Sequence, residues 1–360
     1  MSNKTLSELE ILEFFRKELG LTHPHPMNLA GNTDDAAVMP LLPKDFSTYA
    51  TGKRTRLGDR ADSLVFTQDA MIENIHFRLD YSTPEQIVAK CMTVNVSDLA
   101  AMGASPLGAL VHVGLPKPYA VREFLASLTR GLRRSMQRYS FTVFGGDLTA
   151  ARDFTISAAL IGRIDHRRMM LRSGANAGDV LCISGTLGLA SLGLKLLEAR
   201  RKGRISVAEL RRFPRSTKRL LAPRARLALG LKMAEAGLVT SCIDLSDSLA
   251  RSLRLLAEQS HVGFSIELSS RLLHREVRKY YGHLDSRRLA DITFSAEEDF
   301  ELLFTIGASD AEKAHRLLPR GVIPIGTALA QENGILAYHR GKRIAFKNGG
   351  FEHFSKRHRR

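Results

Sequence analysis

Five short segments of this chain end an apolar run in acid: Thr33-Asp34-Asp35, Thr67-Gln68-Asp69, Ser97-Asp98, Gly145-Gly146-Asp147 and Ile243-Asp244-Leu245-Ser246-Asp247. A carboxylate at the end of a buried element must find a partner, because an unpaired charge is costly away from water. Taken singly, each has an ordinary place: Asp34 in a turn, Asp98 solvated on its helix, Asp147 in a hairpin, Asp247 in a first helical turn where its charge suits the dipole. Taken together they constrain the fold far more, since converging carboxylates repel one another unless cations stand among them. Mg²⁺ takes hard oxygen ligands in octahedral geometry and shares them with substrate phosphates. The glycine pair before Asp147 fits either a tight hairpin or a place where a phosphate lies against bare backbone beside its metal.

At 360 residues the chain exceeds the usual size of one core, so two domains are expected, and 44% hydrophobic with 25% charged residues is the balance of a folded protein. The N-terminus has no apolar core of a signal peptide, and no run of about 18 apolar residues is free of charge. The expectation is a soluble cytoplasmic protein with no membrane partner. Cys91, Cys182 and Cys242 lie far apart in apolar stretches with no C-x-x-C, which points to core thiols and away from disulfides or zinc. The net charge of +16 is uneven: residues 195–226 hold twelve Lys or Arg against Glu198 and Glu209, and the chain ends in a second basic run. Such patches bind nucleic acid or are solvated surface, and a surplus of this sign also draws in anionic substrates. With Phe213 the sole aromatic residue interleaved, stacking platforms are missing and solvated surface is preferred; no nucleic-acid partner is expected.

Hydrophobic periodicity predicts a first helix over 6–19 and a strand over 63–66. The strongest helix signal runs to Met102, with Thr83 as N-cap, Pro84 at the first position, Gln86 completing a capping box and Gly103 as the stop. A strand over 107–115, a helix over 119–139 and strands over 141–144 and 154–164 follow. Four strands and their helices make one α+β layer pair. The pattern restarts with a strand at 179–183 and a helix from residue 189. Beyond it come a strand at 239–245, a helix at 246–260, a basic connecting region, and strands at 301–306 and 321–325. The fold class is therefore α+β, with an N-terminal four-stranded domain over 1–164 and a C-terminal α/β sandwich domain over 165–360.

Absences narrow the chemistry. There is no G-x-x-x-x-G-K-[ST], and no two of the 28 glycines are spaced G-x-G, which removes the P-loop, the dinucleotide fingerprint and the protein-kinase glycine loop. H-E-x-x-H and G-x-S-x-G are also missing. If this chain handles nucleotide phosphates, it does so with carboxylates and metal.

Seven segments, in order over about residues 30 to 354, resemble the thiamine-monophosphate kinase family: Thr33-Asp-Asp-Ala-Ala-Val38, Asn95-Val-Ser-Asp-Leu-Ala-Ala-Met-Gly-Ala104, Gly145-Gly-Asp147, Arg172-Ser-Gly-Ala-Asn-Ala-Gly-Asp179, Ile243-Asp-Leu-Ser-Asp247, Glu298-Asp-Phe-Glu-Leu302 and Gly350-Phe-Glu-His-Phe354. The resemblance implies the ATP-binding superfamily shared with aminoimidazole ribonucleotide synthetase, selenophosphate synthetase and a hydrogenase-maturation protein, whose N-terminal domains pair across a homodimer. It implies transfer of the γ-phosphoryl group of ATP to thiamine monophosphate, giving thiamine diphosphate and ADP, with several Mg²⁺ ions. By the same resemblance Asp35, Thr67, Gln68, Asp69, Asp98, Asp147, Asp244 and Asp247 fall at metal positions, Asp69 and Asp147 being the most critical. Gly146, Asp147, Arg172 and Ser246 fall at ATP-contacting positions, and His76, Glu298 and Phe351 at those that hold thiamine phosphate.

The chemistry suits these residue types. A phosphate acceptor has a second pKa of about 6 and is already largely deprotonated at neutral pH, so no general base is needed. The task is to bring two polyanions into line, which bridging metal ions accomplish. Phe351 would offer an apolar face to the thiamine rings, and Glu298 an anionic partner for their cationic or amino groups. The chain departs from the family at Gly31-Asn-Thr-Asp-Asp35 for G-x-G-D-D, Gln68 in a Ser-Thr-Asp triplet, Ser248 after D-L-S-D, and Ala296-Glu297 for G-G before E-D. Two other readings are another ATP-using synthetase of the same superfamily, and a non-catalytic basic nucleic-acid-binding or scaffold protein on the same fold. The lack of a cysteine after Cys242 and before Cys91 disfavours the hydrogenase-maturation and selenophosphate branches.

Overall fold

The helix with the strongest capping signal lies between the two halves of the molecule. In the computed structural model, which describes residues 34–40, 62–318 and 321–345 together with Glu10, Ile11, Lys17 and Ala30, α1 (Pro84–Met102) starts where the capping box places it. The Gln86 amide N–H donates to the Thr83 hydroxyl at 3.3 Å, and the Thr83 amide N–H donates to the Gln86 side chain at 2.9 Å. Gly103 stops the helix in the left-handed conformation, at φ 76°. The helix is buried on nearly every side, with Lys90, Asn95 and Ser97 among its buried residues. A helix apolar all round belongs inside a protein, and α1 is covered from both halves.

The first half is a sheet of β1 (Ala37–Pro40), β2 (Asp62–Ile72), β3 (Ser105–Leu115), β4 (Thr142–Ala150) and β5 (Thr155–Asp165), in the order β1-β2-β5-β3-β4. All neighbours are antiparallel except β3 and β4, which are joined in parallel through α2 (Arg122–Tyr139). Along β2 the odd positions from Ser63 to Met71 turn toward α1 and alternate with more exposed even ones, the period of a half-covered strand. The register sets one row straight across the sheet, Asp69–Ala158–Val111–Gly146.

The second half carries a seven-stranded sheet, ordered β12-β11-β8-β10-β6-β9-β7. In chain order it comprises β6 (Val180–Ile183), α3 (Leu189–Arg201), α4 (Val207–Leu210), α5 (Pro214–Leu221), α6 (Leu227–Ala236), β7 (Val239–Asp244), α7 (Leu249–Ser260) and β8 (Val262–Glu267). It continues with α8 (Arg275–Tyr281), α9 (Ser286–Phe294), β9 (Leu302–Ile306), α10 (Ala311–Leu317), β10 (Ile323–Ala330), β11 (Ile335–His339) and β12 (Lys342–Ile344). β9 is buried at all five positions, covered on both faces. The core between α7, α8, α9 and the sheet is built from residues such as Leu249, Leu253, Phe264, Val277 and Phe294. A third apolar cluster joins the halves, with Ala100 and Ala101 of α1 against Met233, Cys242 and Phe304. The three cysteines are free and buried, as expected for core thiols. No helix among the described residues is long and apolar enough to cross a membrane.

Several expectations need correction. The first sheet has five strands and not four, because β1 is only four residues long, ends in Pro40 and has no alternation to reveal it. β4 does not stop at Phe144 but runs through Gly145, Gly146 and Asp147. Gly146 serves the ladder there: an added Cβ would collide with the backbone of Val111 on β3. The basic connecting region after residue 260 contains β8, α8 and α9. The helix expected over 6–19 falls largely outside the described residues, as do residues 350–354.

The contact between α1 and α6 yields a test. Gly230 of α6 lies so close to Ala100 that a Cβ would run into the Ala100 carbonyl. Helix propensity alone would favour alanine by about 1 kcal/mol, whereas overpacking costs about 1–3 kcal/mol. Gly230→Ala is therefore expected to lower the urea unfolding midpoint; a raised midpoint would show that the helices do not meet this closely.

Candidate active site

A cavity of about 720 Å³ opens between the two halves, floored by α1 and walled by β2 on one side and the end of β7 on the other. Its acidic end gathers side chains from four separate stretches. Asp35 stands just before β1, Asp98 is in the last turns of α1, Asp244 ends β7, and Asp69 projects from β2. One carboxylate oxygen from each of Asp35, Asp98 and Asp244 lies within 4.8 Å of the other two. The Thr67 hydroxyl donates to Asp98, the Ser97 hydroxyl to Asp244 at 2.6 Å, and the Ser246 hydroxyl to Asp244 at 3.2 Å. Arg172 is the cation of this group: its guanidinium donates to Asp35 at 2.5 Å and its backbone N–H to Asp34 at 3.1 Å.

One guanidinium is too little positive charge for so many carboxylates. Burial, and secondarily the charge of Asp35, pushes Asp34 up to about 7. Burial does the same to Asp244, also to about 7, with Asp35 again the next cause. Asp69 rises to about 6 by burial against a lowering hydrogen bond with Asp98. Asp98 is driven well above the carboxylate range by burial and then by Asp69, Asp244 and Asp35. Asp35 is raised by burial although Arg172 acts in the opposite sense, and its Oδ2 is buried without a hydrogen-bond partner among the described residues. Acids held like this are either protonated or waiting for a cation of higher charge. Clustered hard oxygens with one acceptor unmet fit Mg²⁺ better than any softer ion.

Away from the acids, the cavity is lined by His76, Lys90, Glu298 and Phe300. His76 Nδ1 accepts from the backbone N–H of Ile72 at 3.0 Å, which places the proton of a neutral ring on Nε2. Glu298 and Phe300 both have left-handed backbones, at φ 58° and 49°, uncommon for non-glycine residues. Such strain persists only where its surroundings over-determine it, and here they do. The backbone N–H of Glu298 donates to Ser246 and that of Phe300 to Leu245. Asp299 accepts from the backbone N–H groups of Gly188 and Ala190 at the start of α3. Buried Glu301 accepts from Ser184, from Arg219 at 3.1 Å and from Arg226 twice at 2.6 Å. Two charges of the basic 195–226 segment are thus internal braces.

Of the residues singled out in the sequence, Asp35, Thr67, Gln68, Asp69, Asp98, Arg172, Asp244, Ser246, Asp247, His76 and Glu298 all line this one cavity. Gly146 and Asp147 do not. They lie on β4, exposed, three strands from β2, which at ~4.8 Å per strand is roughly 14 Å along the row from Asp69. Phe351 lies outside the described residues. Sequence reasoning missed Asp34 as a member of the buried group, and it missed Lys90, Phe300 and the bracing pair Arg219 and Arg226. Only Lys90 carried a usable signal, since Lys90, Val94 and Asp98 repeat at four-residue spacing on one helical stripe.

Comparison with known proteins places the chain among relatives. The family model described as AIR synthase related protein, N-terminal domain, matches residues 33–164. A thiamine-monophosphate kinase of Leptospira interrogans is 30% identical over 290 residues, which cover 81% of this chain and 89% of that one. One from Bacillus subtilis is 31% identical over 245 residues, 68% of this chain and 72% of its own. A solved structure described as AaThiL complexed with AMPPCP and TMP superposes with a TM-score of 0.76 at 26% identity, covering 98% of this chain and 100% of that one. With relatives at this identity and coverage, the chain belongs to the thiamine-monophosphate kinase family.

Proposed function

We propose that this chain transfers the γ-phosphoryl group of ATP to thiamine monophosphate, producing thiamine diphosphate and ADP. The observation that carries the reading is the convergence of Asp35, Asp98 and Asp244 to within 4.8 Å in a cavity that continues to His76 and Glu298. Relatives named for this activity, and a similar structure described with an ATP analogue and TMP, support it. Asp35, Asp69, Asp98, Asp244 and Asp247, with Thr67 and Gln68, would hold several Mg²⁺ ions, which when bound supply charge neutralisation for two polyanions. Arg172 holds Asp35 in place and keeps a positive charge at the nucleotide end, while Ser246 orients Asp244. His76 lines the acceptor end of the cavity, and Glu298 faces the cationic and amino groups of the thiamine rings. The acceptor phosphate needs no side chain to remove a proton, since its second pKa is about 6. That leaves the residues the work of alignment and of excluding water.

We further infer a homodimer built on the first half. Leu107, Leu110, Phe144 and Leu148 stand exposed on β3 and β4, Phe144 at 58% and Leu148 at 65%, an apolar patch of the kind that marks an interface. It lies beside Gly146 and Asp147, so pairing there gives those two residues a route to a site completed across the dimer. The domain division near residue 165 is supported by the change of sheet between Asp165 and Val180, although α1 and α6 pack across it.

Incubating the protein with thiamine monophosphate, Mg²⁺ and ATP is expected to yield thiamine diphosphate and ADP in equal amounts by chromatography; no diphosphate from folded protein would refute the assignment. Asp98→Asn and Asp244→Asn are each expected to lower kcat/KM by about 100-fold or more, and near-normal turnover in both would remove the metal cluster from the mechanism. Acidity gives a third test. Because burial raises Asp34, Asp69, Asp98 and Asp244, the folded state binds more protons than the unfolded one between the unfolded carboxylate value near 3.9 and about 7. Their stabilising contribution is complete at low pH and lost as pH rises. In chelator, the thermal midpoint of the wild type should fall more than that of Asp244→Asn between about pH 5 and pH 8, and Mg²⁺ should reverse the loss; parallel curves would mean the acids are not buried together.

A further inference from the structure

Lys90 is a buried cation that the mechanism above leaves unused. Its side chain is 7% exposed, and its Nζ donates to Glu298 Oε1 at 2.6 Å. Among the described residues that is its one polar partner. An ammonium carries three N–H donors, and donors left unmet out of water are costly. Glu298 alone cannot meet them, and the other cavity-lining groups beside Lys90 on its helical stripe are Gln86, whose Oε1 already accepts from the Thr83 N–H, and the apolar Ile87 and Val94.

The placement along α1 indicates what would. Lys90, Val94 and Asp98 all line the cavity, and their positions are spread over eight residues, about 12 Å of helix axis. An acceptor whose cationic ring faces Glu298, and whose reacting group points to the acids around Asp98, must carry that group past Lys90. The cavity's other described cations are already engaged: Arg78 with Glu198 at 3.1 Å and Asn74 at 2.9 Å, Arg172 with Asp35. A simpler role, in which Lys90 only steadies Glu298, explains less. The Glu298 backbone is already fixed by its bond to Ser246, and its carboxylate is 29% exposed and reaches water.

We propose that Lys90 binds the phosphate of the acceptor, bridging a phosphoryl oxygen to Glu298, and so selects a phosphate monoester over the corresponding free alcohol. The proposal rests on the acceptor assignment above. It makes Lys90 a charge-assisted donor to the group that attacks ATP, with Glu298 keeping the ammonium oriented.

Equilibrium binding of thiamine monophosphate and of thiamine, each with Mg²⁺ and a non-hydrolysable ATP analogue, separates the possibilities. Wild-type protein is expected to prefer the monophosphate. Lys90→Gln is expected to lose about 10- to 100-fold in affinity for the monophosphate while its affinity for thiamine is unchanged. Since Lys90→Gln leaves Glu298 unpaired and could impair folding, the double variant Lys90→Met/Glu298→Gln removes both charges together and is expected to lose the preference as well. Glu298→Gln alone should weaken both ligands and retain the preference. If folded Lys90 variants still prefer the monophosphate as the wild type does, or weaken both ligands equally, Lys90 does not bind the phosphate and the proposal falls alone. A wild type that binds neither ligand, or makes no distinction between them, takes the acceptor assignment down with it.

Discussion

The rest of the structure depends on the cost of burying several carboxylates within reach of one another. Asp35, Asp98 and Asp244 come from three unrelated stretches, and only a close-packed junction of both halves brings their oxygens to 4.8 Å. Repulsion and desolvation oppose that arrangement, and Arg172 offsets a part of it. On the proposed function, a fold that keeps such a cluster gives up some stability for a site that would hold cations and, through them, phosphates. Stability and function are therefore set against each other at the same atoms, as is common where groups are preorganised for charge that arrives with the substrate.

Two devices hold the site in shape. α1 belongs to the core of the first half and to the cluster that joins the halves: Ser97 braces Asp244 on β7, Asp98 accepts from Thr67 on β2, and Lys90 reaches Glu298. The segment from Glu297 to Glu301 alternates its duties, with Glu298 and Phe300 turned into the cavity and Asp299 and Glu301 anchored behind it. Arg219 and Arg226 supply that anchorage, so part of the chain's basic surplus is structural. Ala296 and Glu297 are not among the residues with positive φ, so neither position calls for glycine. The left-handed positions here are Glu298 and Phe300, where surrounding hydrogen bonds sustain them.

Much of this was legible in the sequence, for identifiable reasons. The limits of α1 could be read because Thr83, Pro84, Gln86 and Gly103 each state a local backbone requirement. The acidic segments could be read because charge at the end of an apolar run is rarely neutral in meaning. β1 could not, being too short for any period to show. The pair Gly145-Gly146 admitted a tight hairpin, whereas the chain continues as a strand and the bare Gly146 serves a close approach of β4 to β3, a distinction that depends on the neighbouring strand and not on the glycines. Asp147 shares the grammar of the other acids yet lies within β4 at the far edge of the sheet, because a local pattern does not say where its strand is placed. The braces Arg219 and Arg226 were hidden within a run of like charges, where nothing local distinguishes a guanidinium paired with a buried acid from a solvated one.

Anomalous diffraction from a crystal soaked with Mn²⁺ and an ATP analogue would test the central claim most directly. The account predicts ion peaks bounded by the carboxylates of Asp35, Asp98 and Asp244, with further density toward Asp69 and the nucleotide phosphates. Nucleotide bound elsewhere, or bound in the cavity with those three carboxylates in contact with protein groups alone, would contradict it.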